Sequence, residues 1–263
     1  MRDDFETIKV ERIDQHILLI TLNRPDFANA KNTAMGLELK EVYEGLYVDG
    51  EDYRCVVMTG SGKVFCAGGD LKERKGMSDQ QWQRQHAILE QGVHAQRMCP
   101  VPVIAAVNGP AYAGGCEMVL NSDFAYASTT ARFALTEVTL GIMPGAMGTQ
   151  NLPHAVGERR AKEIILTGRP FSVEDAEKWG LVNKICQPGD LLNAVLDTAR
   201  IIAGNAPQSV MRAKRSISVA TQIDRSSGYQ FELEAYNQLV PMADRLEGIL
   251  AFNEKRKPKF TGK

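Results

Sequence analysis

An α/β fold built on a buried, largely parallel sheet is what this sequence predicts, and three observations carry the prediction. Short aliphatic runs such as "HILLITL" and "PVPVIAAVNG" are too continuous for strands with one wet face. Segments with helical spacing separate them, so strands and helices alternate through the first two thirds of the chain. After Gly145 the pattern is helical to the end apart from "LVNKICQ", and the last ~75 residues keep that period throughout.

The elements follow in order. "TIKVERI" alternates roughly and "HILLITL" is nearly all aliphatic, so both read as strands, closed by "NRP". From Thr33 to about Tyr47, Met35, Leu39, Val42, Tyr43 and Leu46 fall at helical spacing. "RCVVMTGSG" is a strand ended by glycines, and "VFCAGGDLKE" is an apolar piece ending in a Gly-Gly turn. Ser78 is placed to cap a long polar-faced helix. "PVPVIAAVNG", "DFAYAS" and "ARFAL" are further strands. "ERRAKEIILTG" is a helix stopped by glycine, and "SVEDAEKWG" is one capped by Ser172 with acidic residues in its first turn. A strand-rich core over 1–195 and a helical region over 196–263, serving as lid or oligomer surface, are therefore expected.

Composition narrows the class. The 263 residues are 44% hydrophobic and 24% charged, which suits one soluble, globular chain with a sizeable core. Formal net charge is -1, so bulk charge gives no sign of a nucleic-acid or membrane-surface partner. The start "MRDDFETIKVERID" is charged at once, unlike a signal or transit peptide, and no apolar run is long enough for a membrane span. Cys55, Cys66, Cys99, Cys116 and Cys186 are scattered, odd in number and without a C-x-x-C pair. They read as buried thiols in a reducing compartment, the cytoplasm.

Several motifs fail. "TGSGKVF" has Val57 and Val64 where a phosphate loop needs glycine and a hydroxyl residue, and Phe65 stands where a dinucleotide motif needs its last glycine. His16, His86, His94 and His154 have no metal-ligand spacing, and no G-x-S-x-G occurs. What survives is a pair of Gly-rich turns, "FCAGGD" and "AYAGGCE", and two carboxylates in apolar settings, Glu117 and Glu137.

These features combine chemically. Gly114 falls where a helix should begin, so its N–H is one of the first turn's unpaired donors. Gly69, at the end of the other turn, can supply a second. Two converging N–H groups make an oxyanion hole, in which losing one donor typically raises the barrier by about 2.7–4 kcal/mol. Glu117 lies one helical turn past Gly114, and Glu137 precedes another turn, "VTLGIMPG". Two carboxylates near such a hole can divide acid and base roles if their environments separate their pKa values. Taken alone, Glu117 also reads as a first-turn dipole partner and Glu137 as a structural hydrogen-bond acceptor; the combination points to a site.

The strings "VFCAGGDLKE", "PVIAAVNGPAYAGGCEM", "SDFAYAS" and "FALTEVTLGIMPGAMGTQNLPHAVGERRAKEIILTGRPFSVEDAEKWGLVNKI" occur in that order. With the tail "AFNEKRKPKF", they resemble the enoyl-CoA hydratase/isomerase (crotonase) family from about Ile8 to the end. The resemblance implies a spiral of ββα units with a C-terminal helical region. It implies acyl-CoA substrates, no metal or redox cofactor, and homotrimers or a hexamer formed as a dimer of trimers. Gly69 and Gly114 take the role of N–H donors to a thioester oxygen. Glu117 takes that of base toward water and Glu137 that of proton donor to C2. The implied reaction is syn addition of water to a 2,3-unsaturated acyl-CoA. Dehydration of a specialised acyl-CoA, or double-bond isomerisation, are the alternatives. A non-catalytic or RNA-binding member of the fold is a further one, disfavoured by the near-zero charge and the two glutamates.

The same resemblance makes Ala28, Ala30, Ala67, Asp70, Leu71, Lys72 and Pro144 candidates for substrate or CoA contact. It adds Phe260 and Lys263 of the basic tail, reaching a CoA across a subunit boundary. This sequence departs from the family pattern at Asp26, where many relatives are basic, and at Pro110 and Ala113, where an aromatic and a glycine are usual. It departs again at Met147 and Asn151, in place of glycine and arginine. Met147 is expected to reshape a packed surface, the acyl pocket among the candidates, and the helix around Trp82 to border the acyl tail.

Overall fold

The computed structural model describes residues 4–50 and 53–263. Its main sheet contains β1 (Ile8–Ile13), β2 (Ile17–Leu22), β3 (Cys55–Gly60), β4 (Val103–Val107), β6 (Phe124–Ser128) and β9 (Lys184–Cys186), side by side in that order. Only β1 pairs antiparallel; every later neighbour pairs parallel. A smaller sheet holds β5 (Ala111–Tyr112), β7 (Arg132–Ala134) and β8 (Phe171–Ser172).

The aliphatic runs are explained by what covers the sheet. Along β2, Leu18 and Ile20 point to one side and Ile17 and Leu19 to the other, as the two-residue period of a strand requires. Leu18 and Ile20 join a core with Met35, Leu39, Val42 and Tyr43 of α1 (Thr33–Asp49). Ile17 and Leu19 join a second core with Leu191, Val195 and Ala199 of α8 (Leu191–Ala203). Both faces are dry, so the run has no polar alternation.

Between these elements, α2 (Leu71–Arg74) and α3 (Asp79–Arg97) follow β3, and α4 (Gly114–Leu120) follows β5. The chain after β7 forms a 3-10 turn at Glu137–Leu140, then α5 (Gly148–Val156), α6 (Glu158–Thr167) and α7 (Val173–Trp179). The caps expected from sequence are present. Ser78 and Gln81 form a reciprocal capping box on α3, and Ser172 Oγ accepts the Asp175 N–H at 3.1 Å on α7. Each cap contributes about 1 kcal/mol.

The C-terminal helices are α9 (Pro207–Ala220), α10 (Arg225–Asn237) and α11 (Ala243–Asn253). The boundary expected between residues 195 and 196 falls inside α8, whose buried face belongs to the second core, so the sheet layer extends to Ala203. The tail beyond α11 is fixed to the body. The buried Asp244 carboxylate accepts the N–H groups of Thr261 and Gly262, and Arg54 donates to the carbonyls of Ala203 and Phe260. All five cysteines are buried and unpaired, and no helix among the described residues is long and apolar enough to cross a membrane.

Candidate active site

Two short segments lie side by side at the end of β3. Residues 28–31 run parallel to 67–70, joined by Ala67 N–H to the Ala28 carbonyl at 3.0 Å, Lys31 N–H to Gly68 at 2.7 Å and Asp70 N–H to Lys31 at 2.9 Å. This pairing uses the donors on either side of Gly69 and leaves its own N–H without an acceptor among the described residues. Gly114 is the first residue of α4, so its N–H has no partner one turn back, and none elsewhere among the described residues. Cys66 pairs with Ala111 in a parallel bridge, which brings the two glycine turns together. They can act as a pair of donors to one oxygen.

Glu117 and Glu137 are both buried, 3% and 6% exposed. Glu117 projects from the first turn of α4, and its Oε1 accepts the N–H groups of Ala146 at 2.8 Å and Gly148 at 3.0 Å. One carboxylate oxygen is thereby fixed by the start of α5. Glu137 opens the 3-10 turn after β7, and its Oε2 is buried with no hydrogen-bond partner among the described residues. Burial, reinforced by the charge of Glu117, pushes the Glu137 carboxyl up to about 7 from an ordinary 4.5, although its own backbone N–H and the Lys31 charge pull the other way. The two glutamates therefore differ in their surroundings: one is oriented by two donors, the other is a desolvated acid able to hold or release a proton near neutrality.

The match to the Enoyl-CoA hydratase/isomerase family model covers residues 12–263. The chain belongs to the enoyl-CoA hydratase/isomerase family. It is 40% identical to the enoyl-CoA hydratase domain-containing protein 2, mitochondrial, of Homo sapiens, over 95% of this chain and 87% of that protein. It is 38% identical to the short-chain-enoyl-CoA hydratase of Clostridium acetobutylicum, over 92% of each. The crystal structure of an enoyl-CoA hydratase from Bacillus anthracis aligns with a TM-score of 0.96 at 40% identity, covering 98% of this chain and 100% of that one. The architecture is the crotonase fold.

Around these glycines and glutamates, the other residues singled out from sequence take different places. Pro144 is buried beside Glu117, with its Cβ against Gly148. Ala28 carries a left-handed backbone (φ 50), and Ala30 accepts from the Arg24 guanidinium. Ala67 and Leu71 are exposed along the same edge, and Lys72 holds its ammonium 5.5 Å from the Phe27 ring. Asp70 is engaged internally: it caps α2 through the Lys72 and Glu73 N–H groups and pairs with Arg24 at 2.9 Å. Phe260 and Lys263 are not brought to this site within one chain. The Phe260 carbonyl binds Arg54 at the start of β3, the end of the strand opposite the glycine turns.

The departures from the family pattern have structural consequences. Ala113 sits at φ 49, ψ −124, a conformation that suits glycine, and Met147 is left-handed at φ 71. The Met147 side chain lines a cavity of about 540 Å³ with Arg97, Asn151 and His154, at the C-terminal end of α4. This is the end of that helix remote from Gly114. Asn151 bonds Arg97 and Asn121, which in turn holds the Ala146 carbonyl and so braces the loop beneath Glu117.

Two cations escaped the sequence reading. Lys31 is 5% exposed, and its Nζ lies 2.8 Å from the position a Cβ on Gly114 would take. Arg74 lays its guanidinium 3.3 Å from the equivalent position on Gly69, and 4.3 Å from the Trp82 ring centroid. A lysine inside "NAKN", in a segment flanked by apolar residues, was the available signal for the first.

Proposed function

We propose that this protein is an enoyl-CoA hydratase that adds water syn across a 2,3-unsaturated acyl-CoA. The observation that carries the reading is the unlike pair of glutamates beside two unengaged glycine N–H groups. The thioester oxygen accepts from Gly69 and Gly114. Water, held between the carboxylates, gives a proton to Glu117 as its oxygen bonds C3. The π electrons of C2=C3 move toward C2, and the negative charge spreads to the thioester oxygen, where the two N–H groups stabilise it. Glu137 then delivers its proton to C2, and a proton passing from Glu117 back to Glu137 restores the pair. The reaction as written uses no metal or redox cofactor. Reversed, it is dehydration of a 3-hydroxyacyl-CoA.

The edge formed by residues 28–31 and 67–72 is the place proposed for the coenzyme A moiety, with Lys72 supplying positive charge and Phe27 a flat apolar face. Assembly into trimers or a dimer of trimers is proposed for the C-terminal helices, which expose Ile217, Tyr229, Tyr236, Ile249 and Phe252. A double-bond isomerase needs only one carboxylate to shuttle a proton. The bracing of Glu117 by two N–H groups supports water chemistry instead.

The test is loss of conjugated-thioester absorbance with crotonyl-CoA. Wild type should hydrate it, and Glu117→Gln and Glu137→Gln should each lose about 10²-fold or more. Absence of hydration across short, long and branched enoyl-CoAs would refute the reading. Undiminished activity in either variant would remove the role given to that glutamate.

A further inference from the structure

Lys31 has no evident structural employment. It is 5% exposed, yet its ammonium makes no hydrogen bond or ion pair with any described residue. Its stem is buried but its ammonium is not sealed off, so the charge faces the open site, where a purely structural position would be filled better by leucine or methionine. Its backbone is bonded to the strand that carries Gly69, and its Nζ rests over Gly114, so it touches both halves of the proposed thioester site. On the opposite flank, Arg74 covers Gly69. Its Nε donates to Gln85 at 2.8 Å, while its terminal nitrogens have no acceptor among the described residues. Glu73 lies close enough for its charge to favour the guanidinium, but its oxygens are taken by the Thr33 N–H and Gln85.

The hydration chemistry written above uses neither cation. A neutral enoyl chain would give Lys31 no anion to pair with, because Glu137, whose carboxyl feels its charge, is the protonated acid of the hydration chemistry. An acyl chain with a carboxylate of its own would, and such a group needs a local cation to enter a site that already holds two glutamates. We propose that the acyl group selected by this site bears a second carboxylate, bound by the Lys31 ammonium beside Gly114, with Arg74 making the other flank of the pocket positive. The proposal rests on the acyl-CoA reading of the site and specifies its substrate class: coenzyme A monothioesters of short dicarboxylic acids.

The experiment is equilibrium binding by calorimetry, with saturated thioesters that need no turnover. Succinyl-CoA is compared with butyryl-CoA, and glutaryl-CoA with pentanoyl-CoA, on wild type and on Lys31→Met. The expected result is that the carboxylated member of at least one pair binds about 10- to 100-fold more tightly to wild type, and that Lys31→Met removes the difference. Equal affinities within both pairs would overturn the proposal, and that comparison needs no variant. A preference that survives in folded Lys31→Met would overturn it too. So would a variant that weakens both members of each pair alike, which would assign the ammonium to the thioester oxygen. Selective binding without hydration of any enoyl-CoA would sink only the hydratase reading.

Discussion

Glu117 Oε1 accepts the Gly148 N–H at 3.0 Å, and a Cβ on Gly148 would lie 2.8 Å from that same oxygen. The residue that orients the carboxylate can do so only because it has no side chain. Gly148→Ala must therefore push Glu117 aside or move the start of α5, since Pro144 Cβ blocks the neighbouring direction at 2.9 Å. A displacement of about 1 Å in a positioning contact lowers turnover about 10²-fold. The expected outcome is a fall in kcat for crotonyl-CoA of that order, with an unfolding midpoint near that of wild type. An unchanged kcat would show that the Gly148 bond does not hold the reactive geometry.

Glu137 sets a pH dependence of stability. Its folded-state value of about 7 stands above the ordinary 4.5, so the folded protein holds a proton that the unfolded chain gives up. Below about pH 4.5 both states are protonated and the residue is neutral to stability. As pH rises toward 7 only the unfolded state ionises, and stability falls; above 7 the full loss of about 3 kcal/mol is present. Glu137→Gln lacks that loss. In urea titrations it should match wild type at about pH 4 and exceed it by up to about 3 kcal/mol at about pH 8. Equal stability of the two proteins at both pH values would show that the buried carboxyl is not displaced.

Backbone strain next to the site is also measurable. Ala113, at φ 49 and ψ −124, pays for a Cβ in a glycine conformation, whereas Met147 at φ 71 and ψ 10 occupies the milder left-handed region. Ala113→Gly should raise stability by about 1 kcal/mol, the strain relieved exceeding the extra entropy of the unfolded chain. Met147→Gly should gain less, because it also gives up side-chain packing in the cavity by α4. Thermal unfolding of the two variants checks the order, and a destabilised Ala113→Gly contradicts it.

What the sequence disclosed, and what it hid, divides by range. Local signals were readable: the Ser78 and Ser172 caps, the doubly buried β2, and the helix start at Gly114 all depend on neighbours within a turn or a strand. The two glutamates could be picked out because a carboxylate in an apolar run is itself anomalous. Contacts across long separations left no pattern. Gly148 holds Glu117 from 31 residues away, and nothing in "AMGTQ" announces it. The apolar piece "VFCAGG" does not show in sequence that it makes only isolated bridges, its backbone donating to the Ala28 and Pro110 carbonyls. The role of α8 as a cover for the sheet could not be separated from the helical period it shares with its successors.

The cysteines have a practical consequence. Each of the five is buried, and burial raises the thiol pKa of Cys55, Cys66, Cys99, Cys116 and Cys186. Thiolate is the reactive form, so the folded protein resists alkylation even at Cys116, the immediate neighbour of Glu117. A cysteine introduced on the surface of α3 or α10 would thus be the one thiol open to maleimide dyes. The natural chain already serves as a silent background for attaching a single fluorophore, with no native cysteine removed.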